Sequence, residues 1–221
     1  MDCKKSVRLA VDCAMTVALL LLMGYSRVGE TAHECLGVAM FVLFAAHHVL
    51  NRAWLKSLGK GRYSAYRVLQ TVLAALIFAG MLGSVCCGIL LSKHLFSFFY
   101  VPGSAAAART AHHLCGYWNF ALMSVHLGTH GSMMIAAAKK QSQAVFRAAC
   151  GVCVIAAVYG VYALIRRQLG AYLTGQVMFS FFDYDEPLAL FLLDYLAIMA
   201  AFALAGYGVF RLLRKERTEK R

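Results

Sequence analysis

The sequence predicts an all-α, polytopic membrane bundle of about six transmembrane helices, with both termini in the cytoplasm. Of its 221 residues, 61% are hydrophobic and only 14% are charged, and the mean hydropathy is +0.65. A water-soluble domain cannot bury that much apolar surface, so residues 1–221 are expected to form a single membrane domain. The net charge of +12 does not indicate nucleic-acid binding, because the basic residues lie in short connections and at the termini.

Six apolar segments are long enough to cross a membrane, and they are expected at 8–26, 32–52, 68–92, 111–137, 146–166 and 187–212. If the N-terminus is cytoplasmic, the connections and termini on that side carry 17 of the 22 basic residues. This distribution agrees with the excess of Lys and Arg on the cytoplasmic side of membrane proteins. The other side holds only Arg27, Lys93, Arg109, Arg166 and Arg167.

The longest external connection, 167–187, is too aromatic for a solvated linker. Its aromatic residues include Phe179, Phe181, Phe182 and Tyr184. Two interpretations stay open: an interfacial or re-entrant element over the outer part of the bundle, or an aromatic belt at the level of the lipid headgroups.

Histidines on the second and fourth segments repeat with one spacing. His33 and His47 are fourteen residues apart, and so are His112 and His126. On an α-helix, fourteen residues return to nearly the same face, about 40° away, after a rise of about 21 Å. In the six-segment topology both helices run inward, so His33 matches His112 in depth near the outer surface, and His47 matches His126 nearer the cytoplasm. Two imidazoles offered at one depth by neighbouring helices are typical axial ligands of a b-type haem.

The expected cofactors are therefore two low-spin, bis-histidine b-type haems, held in a core that spans residues 30–137. The predicted iron ligands are His33, His47, His112 and His126. His130 lies eighteen residues after His112, on the same helical face, and is the alternative to His126 as inner ligand. Whether the chain holds one haem or two stays open.

Further polar residues beside the predicted ligands are expected to contact the haems. His48 and His113 are rotated by about 100° from their neighbours, and each is expected to bond a haem propionate or a backbone carbonyl. Arg109, one turn before the outer histidines, is a candidate propionate partner for the outer haem. Asn51 and Arg52 are the corresponding candidates for the inner haem. The alternative role of each arginine is to extend towards the lipid headgroups.

Five pieces of the sequence resemble one known family, the flavinylation-associated cytochromes. They are His33-Glu34-x-Leu36-Gly37, His47-His48-x-x-Asn51, His112-His113-x-x-x-Tyr117-Trp118, His126-x-Gly128-x-His130, and the closing run Phe181 to Pro187 with Leu192 to Met199. The resemblance covers about residues 30–212. It implies a b-type cytochrome of the bacterial inner membrane that passes electrons to an extracytosolic flavoprotein with covalently attached FMN. The sequence has no soluble domain and no Rossmann glycine pattern, so any flavin is expected on that partner.

The favoured function is electron transfer across the membrane, from a quinol or another membrane donor to an external acceptor. The chain would be the electron-transfer subunit of a membrane oxidoreductase, and whether it is itself an enzyme stays open. The alternative is a histidine-lined transporter or channel for protons or a transition metal, without haem. That alternative needs other ionisable groups along the route, and the mid-membrane carboxylates are essentially Asp12 and Asp194. Asp194 is expected either to handle quinol protons or to form a hydrogen bond between helices.

Overall fold

A computed structural model describes residues 3–99, 101–177 and 186–219, and these residues form helices and short connections. In chain order the helices are α1 (Cys3–Met23), α2 (Tyr25–Val28), α3 (Glu30–Leu50), α4 (Arg52–Ser57), α5 (Ala65–Leu91), a 3-10 turn (Ser97–Phe99), α6 (Ala105–Thr129), α7 (Gly131–Ala138), α8 (Gln143–Arg166), α9 (Leu169–Leu173) and α10 (Leu188–Glu219). The predicted all-α fold is confirmed. Five helices are long and apolar enough to cross a membrane: α1, α3, α5, α8 and α10.

The fourth predicted segment, 111–137, differs from the structure in two respects. The chain there forms α6, which begins six residues earlier at Ala105, and α7, which begins at Gly131. His130 lies between the two helices. In addition, α6 is not among the five helices apolar enough to span a membrane. The physical reason is its polar content, since it carries histidines and the buried Asn119. A helix at the centre of a bundle tolerates such side chains better than one that faces lipid.

The centre of the bundle is built from α6 and α10. α6 packs between α5 and α10, and α10 packs on α8 as well. Phe120 of α6 and Ile198 of α10 are completely buried. Gly160 of α8 lets its helix approach α10 closely, because a Cβ atom there would collide with the backbone carbonyl of Ala197.

α1 and α3 form a second, smaller unit beside this centre. They pack mainly on each other, and their buried side chains, among them Met15, Leu19, Met40 and Phe44, belong to the same core cluster as those of the central helices. Their packing on the other helices is much sparser. Among the described residues, α3 and α6 in particular have little direct backbone contact. The two histidine-bearing helices are thus neighbours that do not pack closely.

A buried ion network joins α8, α10 and the connections at one end of the bundle. Asp194, completely buried, accepts hydrogen bonds from the hydroxyl of Tyr159 at 2.6 Å and from Nε of Arg167 at 2.8 Å. Arg167 also donates from Nη1 to Glu186 at 2.8 Å, and Arg27 lies 3.9 Å from the same carboxylate. Burial opposes the charge of Arg167, but the hydrogen bonds to Glu186 and Asp194 raise its pKa. Asp194 therefore forms a bond between helices, which is one of its two expected roles.

The predicted external segment 167–187 lies only partly within the described residues. Its first part folds back through Gln168, whose φ of 50° is left-handed, into the short helix α9. Leu169 of α9 is completely buried. The aromatic residues on which the interfacial interpretation depends (Phe179, Phe181, Phe182 and Tyr184) lie outside the described residues.

Replacing Gly160 with alanine is expected to destabilise the bundle by roughly 1–3 kcal/mol, because the new Cβ would push α8 away from α10. Thermal unfolding of the purified protein in detergent measures the effect. Gly151 is the matched control on the same helix, because a Cβ added there would have no atom within 4 Å. Equal melting temperatures for the two alanine variants would contradict the close packing.

Candidate histidine site

The histidines of α3 and α6 come together at two levels. At the first level, the rings of His33 and His112 face each other across the space between the helices, with centroids 6.1 Å apart and planes inclined by 70°. Tyr25 contacts the ring of His33, at 5.1 Å between centroids. His33 and His112 both lie in the first third of their helices, so the contact joins the early part of α3 to the early part of α6.

The ring of His112 is held in one orientation by α5. Its Nδ1 lies 3.0 Å from the backbone carbonyl oxygen of Ser84. Since a carbonyl only accepts, Nδ1 carries the proton and Nε2 keeps its lone pair. The ring also packs against Gly88, where a Cβ would lie 3.5 Å from it. Within the described part of the chain, Nδ1 of His33 is buried without a hydrogen-bond partner.

Glu34, next to His33, ties the start of α3 to the end of α5. Its carboxylate accepts hydrogen bonds from the Ser92 hydroxyl at 2.7 Å and from the backbone N–H groups of Lys93 and Leu95 at 2.8 and 2.9 Å. Nearby, Glu30 pairs with the Lys93 ammonium at 2.8 Å, and its hydrogen bond and charge raise the pKa of Lys93. Glu30, Glu34 and His94 are close enough together to hold a metal ion. Both carboxylates already have partners, and Glu34, the neighbour of His33, is the one whose hydrogen bonds hold the start of α3 against the end of α5.

The second level contains the later histidines of both helices and one carboxylate. Nδ1 of His47 lies 2.8 Å from Oδ1 of Asp12 on α1. The rings of His126 and His130 are 5.2 Å apart. His126 interacts electrostatically with His130, His47 and His48, and His130 interacts with Asp12 and His47. Contacts at this level thus join His47 to Asp12 and to His48 on one side and His126 to His130 on the other, and the choice between His126 and His130 stays open.

His48 and His113, each next in sequence to a predicted iron ligand, have partners outside the facing pairs. His48 donates from Nδ1 to the carbonyl of Phe44, one turn earlier, at 2.9 Å. Its ring also contacts Phe44 and Phe78, at 4.3 and 5.5 Å between centroids. His113 lies 6.3 Å from the ring of Tyr117. The carbonyl bond of His48 is one of its two expected contacts.

The candidate propionate partners lie at the helix ends near the histidines. Arg109 is exposed and interacts electrostatically with His113. Asn51 ends α3 and donates from Nδ2 to the carbonyl of His47 at 2.9 Å. Arg52 is exposed at the first position of α4.

Two glycines face open space one turn after the first-level histidines. Gly37 follows His33 by four residues and Gly116 follows His112 by four, and neither has an atom within 4 Å of the position of a Cβ. Gly128 is different, because a Cβ there would collide with the carbonyl of Ala203 on α10. Gly128 therefore serves helix packing, whereas Gly37 and Gly116 leave room beside the histidines.

Sequence reasoning missed three contributors to the site. Asp12 stood out as a carboxylate in an apolar segment, but the sequence did not connect it with His47. No pattern in the sequence pointed to Tyr25 or to the carbonyl of Ser84 as neighbours of the histidines. A backbone carbonyl is present at every position, so only the packing of α5 on α6 selects this one.

Comparison with protein-family models found no match, and searches of the curated proteins and of the solved structures found none either. The class of the protein therefore follows from its fold: with five candidate spans, it is a helical, multi-pass membrane protein. The resemblance to the flavinylation-associated cytochromes stays a prediction.

Proposed function

We propose that this protein is a membrane-bound b-type cytochrome with two haems, and that it carries electrons across the membrane. The donor would be a quinol or another membrane carrier, and the acceptor an extracytosolic flavoprotein with covalently bound FMN. The observation that carries the proposal is the pair of facing imidazoles, His33 and His112, between two helices that scarcely touch.

The spacing of this pair suits a shared metal ion. A metal–imidazole bond is about 2 Å long, so two rings whose centroids lie about 6 Å apart are near enough to hold one ion between them. The centroids of His33 and His112 are 6.1 Å apart. Nδ1 of His112 already binds the carbonyl of Ser84, so Nε2 is the nitrogen of this ring that is left to bind an ion.

The surrounding residues also fit a flat macrocycle at the first level. Ser84 fixes the tautomer of His112 that leaves Nε2 free, and Gly37 and Gly116 leave open space beside the pair. Bound haem would supply the one-electron iron couple that these apolar helices lack. The protein would supply the ligands, their orientation and a surrounding from which water is largely excluded.

At the second level, His47 and either His126 or His130 are the proposed ligands. The carboxylate of Asp12 would hold Nδ1–H of His47, as outer carboxylates hold metal-bound histidines in many proteins, leaving Nε2 for the metal. The helix rise gives about 20 Å between the two levels, which spans most of a hydrocarbon core about 30 Å thick. Two haems at these levels would thus connect the two membrane surfaces.

A haem assay on the purified, full-length protein tests this function. With haem supplied during expression, we expect a b-type band in the reduced-minus-oxidised spectrum and two haems per polypeptide in the pyridine haemochrome assay. Absence of a b-type band would overturn the proposal.

A second candidate, a proton or transition-metal transporter without haem, is favoured by one observation. The second level combines a carboxylate with a cluster of histidines, a combination that can bind a metal ion or pass a proton. Uptake of Zn²⁺ or protons by vesicles containing haem-free protein distinguishes the candidates. Transport by haem-free protein, lost in the Asp12→Asn variant, would favour the transporter.

Replacing Asp12 with asparagine is expected to weaken haem binding at the second level by roughly 10–100-fold, because the partner that orients His47 is weakened. Haem titration of the apoprotein measures the effect, and the first-level haem should bind as in the wild type. Glu30→Gln, which alters a carboxylate away from the second level, is the control. Unchanged affinity in both variants would exclude a role for Asp12 at this level.

A further inference from the structure

An apolar groove runs along the outside of the bundle between α5, α6 and α10. It has a volume of about 320 Å³, and apolar residues line it, among them Leu69, Leu73, Leu76, Val125, Gly206 and Phe210. It is open along one side, where Val72 and Leu76 are about half exposed, at 47% and 51%. From Leu69 to Leu76 the helix rises about 10 Å, so the groove is elongated along the expected membrane normal.

At one end of the groove, aromatic contacts connect the lining residue Phe210 with the cation Arg214. Phe210, in the groove, contacts the ring of Tyr66 edge-on, with centroids 5.3 Å apart. The guanidinium of Arg214 lies over the same ring, 5.3 Å from its centroid, and donates to the Tyr66 hydroxyl at 3.2 Å. Tyr66 therefore orients Arg214 at the end of the groove where α5 begins and α10 nears its end.

We propose that the groove binds one acyl chain of an anionic phospholipid, and that Arg214 contacts its phosphate. A long apolar channel open to the side accepts a flexible hydrocarbon chain, and an oriented guanidinium is a suitable partner for a phosphodiester. The distribution of charge supports an anionic headgroup, because Arg211 and Arg214 lie together in the last part of α10. A quinol tail would also fit the apolar part, but its neutral headgroup gains less from the cation than a phosphate does.

Titration of the full-length protein in detergent, followed by native mass spectrometry, tests the headgroup contact. The probes are dioleoyl-phosphatidylglycerol and dioleoyl-phosphatidylcholine, which share their acyl chains and the phosphodiester. The choline cation of the second neutralises its phosphate, so only the first headgroup has a net negative charge for Arg214 to attract. We expect the wild type to prefer phosphatidylglycerol by roughly fivefold, which corresponds to one cation near the headgroup. Arg214→Gln should abolish that preference, whereas Lys56→Gln, an exposed cation on α4, should retain it. Equal affinities in the wild type, or an unchanged preference in Arg214→Gln, would overturn the proposal.

Filling the groove tests the chain contact. Leu76→Trp should reduce the binding of both lipids, whereas Leu82→Trp, exposed on the same helix outside the groove, should not. Val72→Trp provides a second groove variant if Leu76→Trp does not fold. Lipid binding that is the same in the groove variants and in Leu82→Trp would overturn the proposal. The proposal would also be overturned if the wild type is a dimer, the groove variants are monomers, and lipid binding is the same in both. A second copy of the chain would then occupy the groove.

Discussion

Replacing His112 with alanine is expected to halve the haem content, from two haems per polypeptide to one. The first-level haem would lose one of the two histidines proposed to hold it, and His33 alone would remain in the space between α3 and α6. The second-level histidines lie almost four helical turns further along and should keep their haem. The pyridine haemochrome assay measures the stoichiometry, and a redox titration should show one midpoint where the wild type shows two.

The matched control is His94→Ala. His94 is an exposed histidine after the end of α5, close to Glu30, and it does not belong to either facing pair. Its replacement should leave both haems in place. If His112→Ala retains two haems with unchanged spectra, the facing pair is not a ligand pair and the proposed function loses its main support.

Removing the carboxylate of Asp194 is expected to cause the largest loss of stability of any single change proposed for this chain. Asp194→Ala leaves Arg167, 17% exposed, without one of its two acidic partners in a buried environment. Breaking a buried ion pair in this way costs about 3–5 kcal/mol. At about 2–4 °C per kcal/mol for a chain of this size, we expect the melting temperature of the detergent-solubilised protein to fall by roughly 6–20 °C.

An exposed ion pair provides the comparison for Asp194. Lys93 and Glu30 are 2.8 Å apart, but 68% of the Lys93 side chain is exposed, and water screens the pair. Lys93→Ala should therefore melt like the wild type. A melting temperature of Asp194→Ala that is close to that of Lys93→Ala would show that the network at this end of the bundle contributes little to stability.

The helical architecture could be predicted largely from hydropathy, because each apolar segment must form a helix to satisfy its backbone hydrogen bonds in lipid. Five of the six predicted segments correspond to helices that can span a membrane. The boundaries of the fourth could not be predicted. Its histidines and Asn119 lower its hydropathy, and only the position of α6 between α5 and α10 explains why the bundle accepts them.

The part of the site that depends on helical periodicity could be predicted from the sequence. A spacing of fourteen residues on two helices predicted that His33 would lie beside His112, and the structure brings these two rings together. Periodicity within a helix does not say which other helix packs behind it. The contacts of Asp12 with His47 and of Ser84 with His112 depend on the packing of α1 on α3 and of α5 on α6, which no local pattern encodes.

The sparse contact between the α1–α3 unit and the rest of the bundle bears on biogenesis. α1 and α3 contact each other far more than they contact the other helices, so the pair would be able to assemble in the membrane before it joins the remaining helices. The proposed haem would then bind His33 of one unit and His112 of the other. It would thereby join two parts that had already assembled.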